Sequence, residues 1–415
     1  MLHNLTSIFR NSNPKLVYKY INDKQLINKS IKALNINGKF ITEPKEIADE
    51  LNKFFQSVFT TDSFNFAENL NFKTNVKCDT QPEDLVSMEI LINRLETLEP
   101  SKSPGPDGVH GQILKNTAKA ISIPIFIIFT NSFRSGIVPN IWKQANITPL
   151  HKTGSKVKVD NYRPVSLTCI LCKVFEGMIK DVMLKHLLDN NLLSKAQHGF
   201  LPSRSCVTNL LETIDLITFA LASGYPVDII YTDFSKSFDK ISHKKLLTRL
   251  KQYGFDENII NWVREFLSGR SQRVVLGKNC SSWLSVFSGV PQGSVLGPLL
   301  FIIYINEMLE IIENDCKAYA DDTKIIAIIK NFQSNLKLQN DMDKICQWSK
   351  NCSTVLNAEK CKVLHLGRTN TKFDYEIEKH TGGKQPLAKT TCEKDLGIFI
   401  KHDMKWDVQV RHSTA

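Results

Sequence analysis

The chain has 415 residues, 42% apolar and 23% charged, with 19 glycines and 15 prolines, a make-up that excludes collagen-like, low-complexity and wholly disordered chains and can fill the cores of two or three domains. Its 53 lysines and arginines against 42 acidic residues give a net charge of +11, which favours a polyanionic partner, nucleic acid first. The longest apolar stretches, 120–129 and 298–305, fall well short of the ~20 residues a bilayer span requires, and the N-terminal MLHNLTSIFRN lacks the basic-then-apolar order of a signal peptide.

An intracellular protein of the nucleus or cytoplasm is therefore expected, neither secreted nor membrane-bound. Residues 1–80 read as a mixed, mostly helical extension in which Ile47, Leu51, Phe54, Phe55 and Val58 share one helix face. A helix over 85–98 leads into Ser-Lys-Ser-Pro-Gly-Pro-Asp-Gly at 101–108, where prolines and glycines forbid both helix and ladder and define a fixed loop. From 169 to 188, Leu171, Phe175, Met178 and Val182 recur every three or four residues, and Ile179, Met183 and Leu187 widen the stripe of a long amphipathic helix. The ten cysteines are scattered. Cys169 and Cys172 form a CxxC with no second pair at zinc-ribbon spacing, and they read as core thiols of a reducing compartment.

The run VDIIY at 227–231 has the pattern of a buried strand and sets Asp233 at its C-terminal end. Two helices follow. The second is capped by Asp256, apolar at Ile260, Val263, Phe266 and Leu267, and closed by Gly269, after which comes a basic strand over 270–275. Glycines 289, 293 and 297 precede a helix running to about residue 312, and such density fits either backbone passing close to a ligand or an ordinary joint between loop and helix. Residues 318–328 place two apolar wings around Tyr319-Ala-Asp-Asp322, a hairpin with carboxylates at its turn. The last forty residues return to short, mixed strands.

Adjacent carboxylates near apolar surroundings repel each other and cost stability unless cations occupy the site. Asp233, Asp321 and Asp322 thus point to magnesium, a hard ion suited to carboxylate, water and phosphate oxygens. Two such ions ~3.5–4 Å apart serve in-line phosphoryl displacement; an isolated Asp-Asp is also found as a solvated turn. Lys152, Lys156, Lys158 and Arg163 lie between two apolar runs, the mark of a basic hairpin that suits a triphosphate or is merely solvated.

Seven blocks in order resemble the reverse transcriptase of non-long-terminal-repeat retrotransposons, the jockey-like group above all. They are SPGPDG (103–108), LHK with NYRPVSL (150–152 and 161–167), QHGFLPSRSC (197–206), YTDFSKSFDKISH (231–243), SGVPQGSVLGPLLF (288–301), YADD (319–322) and LNAEKCKVLHLG (356–367). The resemblance implies an α+β right-hand polymerase with an antiparallel palm sheet backed by helices and fingers interleaved in sequence. It divides the chain into the extension 1–80, fingers and palm over 81–370, and the palm's end with the start of a truncated thumb over 371–415.

It further implies that Asp233, Asp321 and Asp322 hold two magnesium ions, with manganese as a substitute, and that Lys152 and Arg163 grip the incoming triphosphate. Gln292 and Gly293 match the loop under nucleotide and template. Phe238 matches the ring that excludes ribonucleotides at the sugar 2′ position, and Lys360 the lysine near the leaving pyrophosphate, with Lys362 close enough to compete. Ser237 stands where the family has alanine, and Glu307 where it has aspartate. The implied partners are an RNA template, a DNA primer, their hybrid and deoxynucleotides. The expected activity is RNA-directed DNA synthesis. Nothing in 1–90 resembles the family's upstream endonuclease. A catalytically impaired, nucleic-acid-binding remnant, suggested by the charge of +11 and the truncated thumb, and an RNA-templated RNA polymerase stand as alternatives.

Overall fold

The computed structural model describes residues 31–60, 73–81, 85–379 and 382–414, so the expectation for 1–30 and 61–72 lies outside the described residues. The chain opens with hairpin β1 (Leu34–Ile36) and β2 (Lys39–Ile41) and helix α1 (Pro44–Ser57). Proline begins α1, where its missing N–H is no loss. The helix buries Ile47, Leu51 and Phe55 along one face, as their spacing predicts. Helix α2 (Met88–Glu96) starts later than expected because Ser87 caps it, accepting from the Ile90 N–H at 3.2 Å. The Pro/Gly segment after it closes on itself through Gly108 N–H to Gly105 O at 3.1 Å, then leads to α3 (Gly111–Asn116) and α4 (Ala118–Ser135).

Strands β3 (Gln144–His151) and β4 (Tyr162–Leu167) form the basic hairpin, followed by α5 (Ile170–Asp189), α6 (Cys206–Ala222), β5 (Val227–Thr232) and β6 (Phe234–Ser235). Next come α7 (His243–Gln252) and α8 (Glu257–Leu267), the latter capped by Asp256, which accepts from the Ile259 N–H at 2.9 Å. Strands β7 (Arg270–Leu276), β8 (Asn279–Cys280) and β9 (Leu284–Val286) precede α9 (Gly297–Glu310), β10 (Asp315–Tyr319), β11 (Asp322–Ile328) and α10 (Phe332–Asn351). The C-terminal part holds β12 (Val355–Leu356), β13 (Lys362–Leu366), β14 (Glu376–Glu378), β15 (Lys384–Pro386), β16 (Ala388–Thr390), β17 (Cys392–Asp395), β18 (Ile398–Lys401) and α11 (Asp407–Thr414).

Two five-stranded sheets organise these elements. One runs β4-β3-β7-β8 with β9 also on β7, and β3 lies parallel to β7. Helix α1 packs on it, joining Ile47, Leu51 and Phe55 to Ala145, Ile147, Tyr162 and Val274. The other runs β10-β11-β5-β13-β16. It is antiparallel as expected through β13, but β16 adds a parallel edge strand. Because 144–167 and 270–286 build one sheet while 227–232 lies in the other, the two are interleaved in sequence.

Strand β5 is covered on both faces, which is why its sequence is a continuous apolar run rather than an alternation. Ile217 and Ala220 of α6 share a cluster with Val227 and Ile229 on one side, while Ile230 enters the large core built by α4, α5, α8, α9 and α10. That run hides a charge. Asp228 is fully buried, and it accepts from Tyr375 Oη at 2.6 Å and Asn370 Nδ2 at 2.7 Å, with His365 Nδ1 at 2.6 Å.

Helix α5 departs from the amphipathic expectation. Its first half is buried nearly all round, with Phe129 of α4 stacked on Phe175 at 4.5 Å between ring centres. Buried Glu176 faces the loop before α9 and accepts from the Val295 and Leu296 N–H groups at 2.7 and 3.0 Å. Arg270, which begins the expected basic strand, is itself buried and lies in the field of Glu176. All ten cysteines are free, Cys169 and Cys172 are fully buried, and burial pushes the Cys169 thiol up to about 12, an inert state for a core thiol.

Candidate active site

Tyr319 pairs with Asp322 at the open end of β10 and β11, so Ala320 and Asp321 alone form the connecting turn. Ala320 takes φ +57°, the left-handed geometry that suits the twist of a two-residue hairpin but that alanine seldom adopts. Behind the turn, Ala318, Ile325 and Ile326 are buried and anchor the hairpin in the sheet.

Strand β5 lies beside β11 with Thr232 opposite Thr323, so Asp233, one residue further, stands next to Asp322 at the same sheet end. The backbone of Asp233 is held from the other side. Its carbonyl accepts from the Asn357 N–H at 2.8 Å, and its N–H points to Cys361 Sγ at 3.5 Å.

The carboxylates are within electrostatic reach of one another. Partial desolvation of the Asp322 carboxyl, then the charges of Asp321 and Asp233, push it up to about 6. Asp321 is oriented by Ser237, whose hydroxyl donates to Oδ2 at 2.7 Å, and Lys360 Nζ sits 3.5 Å from Asp233 Oδ2. Lys362 goes elsewhere, to Glu393 at 3.0 Å.

The β3–β4 hairpin brings the other cations. Leu150 faces Arg163, and the Lys152 N–H donates to Asn161 O at 2.8 Å where the strands part. Partial burial and then the like charges of Arg163 and Lys360 hold Lys152 below its usual range, while Asp233 and Asp321 oppose that shift. Three cations and three carboxylates thus share one field. Beside them lies a cleft of about 310 Å³ whose walls include Asp233, Asp322, Lys360, Tyr231 and Lys324.

The remaining expected residues lie to one side. Gln292 donates through Nε2 to Asp239 Oδ1 at 2.7 Å, and its carbonyl accepts from the Ser166 N–H at 2.7 Å. This ties the loop to β4, and it gives Gln292 no direct bond to the carboxylates. Phe238 follows Ser237, is half-buried, and stacks on Phe301 with ring centres 4.2 Å apart.

The glycines of this loop also meet protein backbone. A Cβ at Gly289 would lie 2.6 Å from Phe238 O, and one at Gly293 2.6 Å from Ser166 O. Close approach of protein backbone is sufficient reason for glycine at these two positions.

Among the described residues no three His, Cys, Asp or Glu side chains form a ready-made metal cage. Asp321 and Asp233 are turned to Ser237 and Lys360 instead. The donor chemistry nonetheless fits hard divalent cations, because three carboxylates on adjoining backbone positions repel and such ions relieve that repulsion. Two residues near the turn were not singled out from sequence. Ser237 showed only as a departure from the family pattern, and Gln197, inside the QHGF block, proves to contact the turn directly.

Residues 150–394 match the model of the reverse transcriptase (RNA-dependent DNA polymerase) family. The chain is 30% identical over 301 residues to the RNA-directed DNA polymerase from mobile element jockey of Drosophila melanogaster, a match covering 70% of this chain and 33% of that protein. Its counterpart in Drosophila funebris is 27% identical over 350 residues, 80% of this chain and 37% of the relative. The retrovirus-related Pol polyprotein from type-1 retrotransposable element R1 of Bradysia coprophila is 26% identical over 338 residues, 78% and 32%. The chain spans about a third of the length of these relatives.

The protein belongs to the reverse transcriptase family. Its kinship runs to the polymerases of non-long-terminal-repeat retrotransposons, jockey among them. Family membership implies the right-hand polymerase fold, with which the mixed helices and sheets agree. No helix among the described residues is long and apolar enough to cross a membrane.

Proposed function

We propose that this chain contributes the fingers and palm, residues 81–370, of an RNA-directed DNA polymerase from a non-long-terminal-repeat retrotransposon. In this reading it copies an RNA template by adding deoxynucleotides to a DNA primer and holds the resulting hybrid. The observation that carries the reading is the convergence of Asp233, Asp321 and Asp322 with Lys152, Arg163 and Lys360 in one electrostatic neighbourhood.

Asp233, Asp321 and Asp322 would hold two magnesium ions, which when bound activate the primer hydroxyl and neutralise charge on the phosphates. The protein's own groups position and neutralise. Arg163 offers a planar fork and Lys152 a point charge to the triphosphate. Lys360, 3.5 Å from Asp233 Oδ2, would neutralise charge on the leaving pyrophosphate. Phe238, braced by Phe301, would stand against a 2′-hydroxyl. An intracellular setting accords with ten unpaired cysteines.

Incorporation of deoxynucleotides on an RNA template, dependent on magnesium and abolished by chelation, tests the reading; a purified chain that binds the hybrid but adds nothing contradicts it. A second reading, a nucleic-acid-binding chain that does not extend primers, draws on Asp233 and Asp321 being engaged already by Lys360 and Ser237. Tight, salt-sensitive hybrid binding without incorporation would favour it.

A further inference from the structure

The Ala320–Asp321 turn is not free-standing. Residues 196–198 run beside β10: the Ala318 N–H donates to Ala196 O at 2.9 Å, the His198 N–H donates to Ala318 O at 2.8 Å, and Gln197 bridges to Ala318 in parallel. The fully buried Gln197 side chain continues along that edge to the turn. Its Oε1 accepts from the Ala320 N–H at 3.0 Å and the Gly199 N–H at 2.7 Å, and its Nε2 reaches Ala320 O at 3.4 Å.

Those two polar groups flank the Cα of Ala320. One carboxamide therefore restrains both soft dihedrals of a residue at φ +57°. Gly199 closes the arrangement, since a Cβ there would come within 2.5 Å of Ala320 N and 3.2 Å of the Tyr319 carbonyl carbon.

A two-residue turn whose only task is to reverse the chain is most simply made with glycine, which adopts positive φ freely. Here alanine occupies the position and a buried glutamine holds it there. That combination gives the next residue, Asp321, a single direction. The chemistry selects glutamine: glutamate lacks the donor for Ala320 O, and asparagine is one methylene too short to span both groups.

We propose that Gln197 is a positioning residue, backed by Gly199, that sets where the carboxylates of Asp321 and Asp322 stand. The proposal rests on reading those carboxylates as metal-holding groups. Its consequence is that loosening the clamp weakens the metal-dependent step while leaving nucleotide and hybrid recognition, which belong to other elements, in place.

The test compares wild type with Gln197→Ala, Gln197→Glu and Gly199→Ala. Four quantities are measured: single-turnover incorporation, deoxynucleotide and hybrid affinities, thermal melting, and Mn2+ affinity by electron paramagnetic resonance of the free ion. Misplacement of reacting groups by about 1 Å lowers rates on the order of 100-fold, so incorporation should fall about 10- to 100-fold in Gln197→Ala. Mn2+ should bind about tenfold more weakly, with hybrid affinity, and nucleotide affinity at saturating metal, within about twofold of wild type.

Gly199→Ala should reproduce this signature by pushing the turn rather than releasing it, and it decides the matter if Gln197→Ala does not fold. Folded variants with wild-type melting, incorporation and Mn2+ affinity would overturn the clamp. A wild-type chain unable to extend any primer would overturn the polymerase reading instead, and the Mn2+ titration would still decide the role of Gln197.

Discussion

Thr232 and Thr323 face each other across β5 and β11, the Thr232 hydroxyl donating to the Thr323 carbonyl at 3.0 Å. Each is followed, toward the same sheet end, by an aspartate. The register that pairs two neutral threonines thus obliges Asp233 and Asp322 to stand side by side, with Asp321 at the turn beyond them. Backbone hydrogen bonding, not attraction between the side chains, assembles the acidic cluster.

A first prediction concerns the burden this places on the metal-free protein. Asp322 is raised from 3.8 to about 6, so the folded state binds its proton more tightly than the unfolded chain does. Its contribution is harmless below about pH 4, turns destabilising as pH rises toward about 6, and stays so above. In chelator, Asp322→Asn should melt a few degrees above wild type at neutral pH, with the gap closing as pH falls through that window. An equal or lower melting temperature at neutral pH would contradict the account.

A second prediction follows from the basic hairpin. Arg163→Ala and Lys152→Ala should each raise the KM for deoxynucleotides about 10- to 100-fold, roughly the 1.5–3 kcal/mol of a charge-assisted contact. Hybrid affinity should move far less. Steady-state kinetics beside a binding titration would separate the two, and a loss confined to hybrid affinity would reassign the hairpin to template binding.

Phe238 supports a third. Trimming it in Phe238→Ala should raise ribonucleotide use relative to deoxynucleotide use by at least about tenfold, since the proposed discrimination is steric. It should also lower the melting temperature, because the ring stacked on Phe301 is lost. Destabilisation without altered sugar selection would leave Phe238 as core alone.

The elements themselves were largely legible. Asp256 announced the start of α8 and Gly269 its end because a cap and a left-handed stop are local chemistry. VDIIY read as a strand for the same reason, but nothing local accounts for Asp228 within it, whose partners Tyr375, Asn370 and His365 lie far along the chain. Long-range pairing is what sequence spacing cannot express. It hid the parallel addition of β16, the burial of Glu176 and Arg270, and the reach of Gln197 to Ala320. At the candidate site the aspartates and cations were readable as motifs. Their orientation toward Ser237 and Lys360 was not, since it depends on how three separate segments meet.

Glu176 carries a fourth prediction. It is buried, caps the start of the segment entering α9, and shares its surroundings with buried Arg270. Glu176→Ala removes the charge facing Arg270 and leaves two N–H groups unsatisfied, so it should cost about 3–5 kcal/mol of stability. In urea unfolding, the double variant with Arg270→Met should lose less than the sum of the single changes. Strict additivity would show that the two charges do not sense each other.

The most direct measurement is single-turnover addition of one deoxynucleotide to a DNA primer on an RNA template, comparing wild type with Asp322→Asn at saturating magnesium. The account predicts addition by wild type and loss of at least about 100-fold in the variant, with hybrid binding retained. Equal rates for both proteins would contradict it, because the carboxylates at the end of β5 and β11 would then have no part in the chemistry.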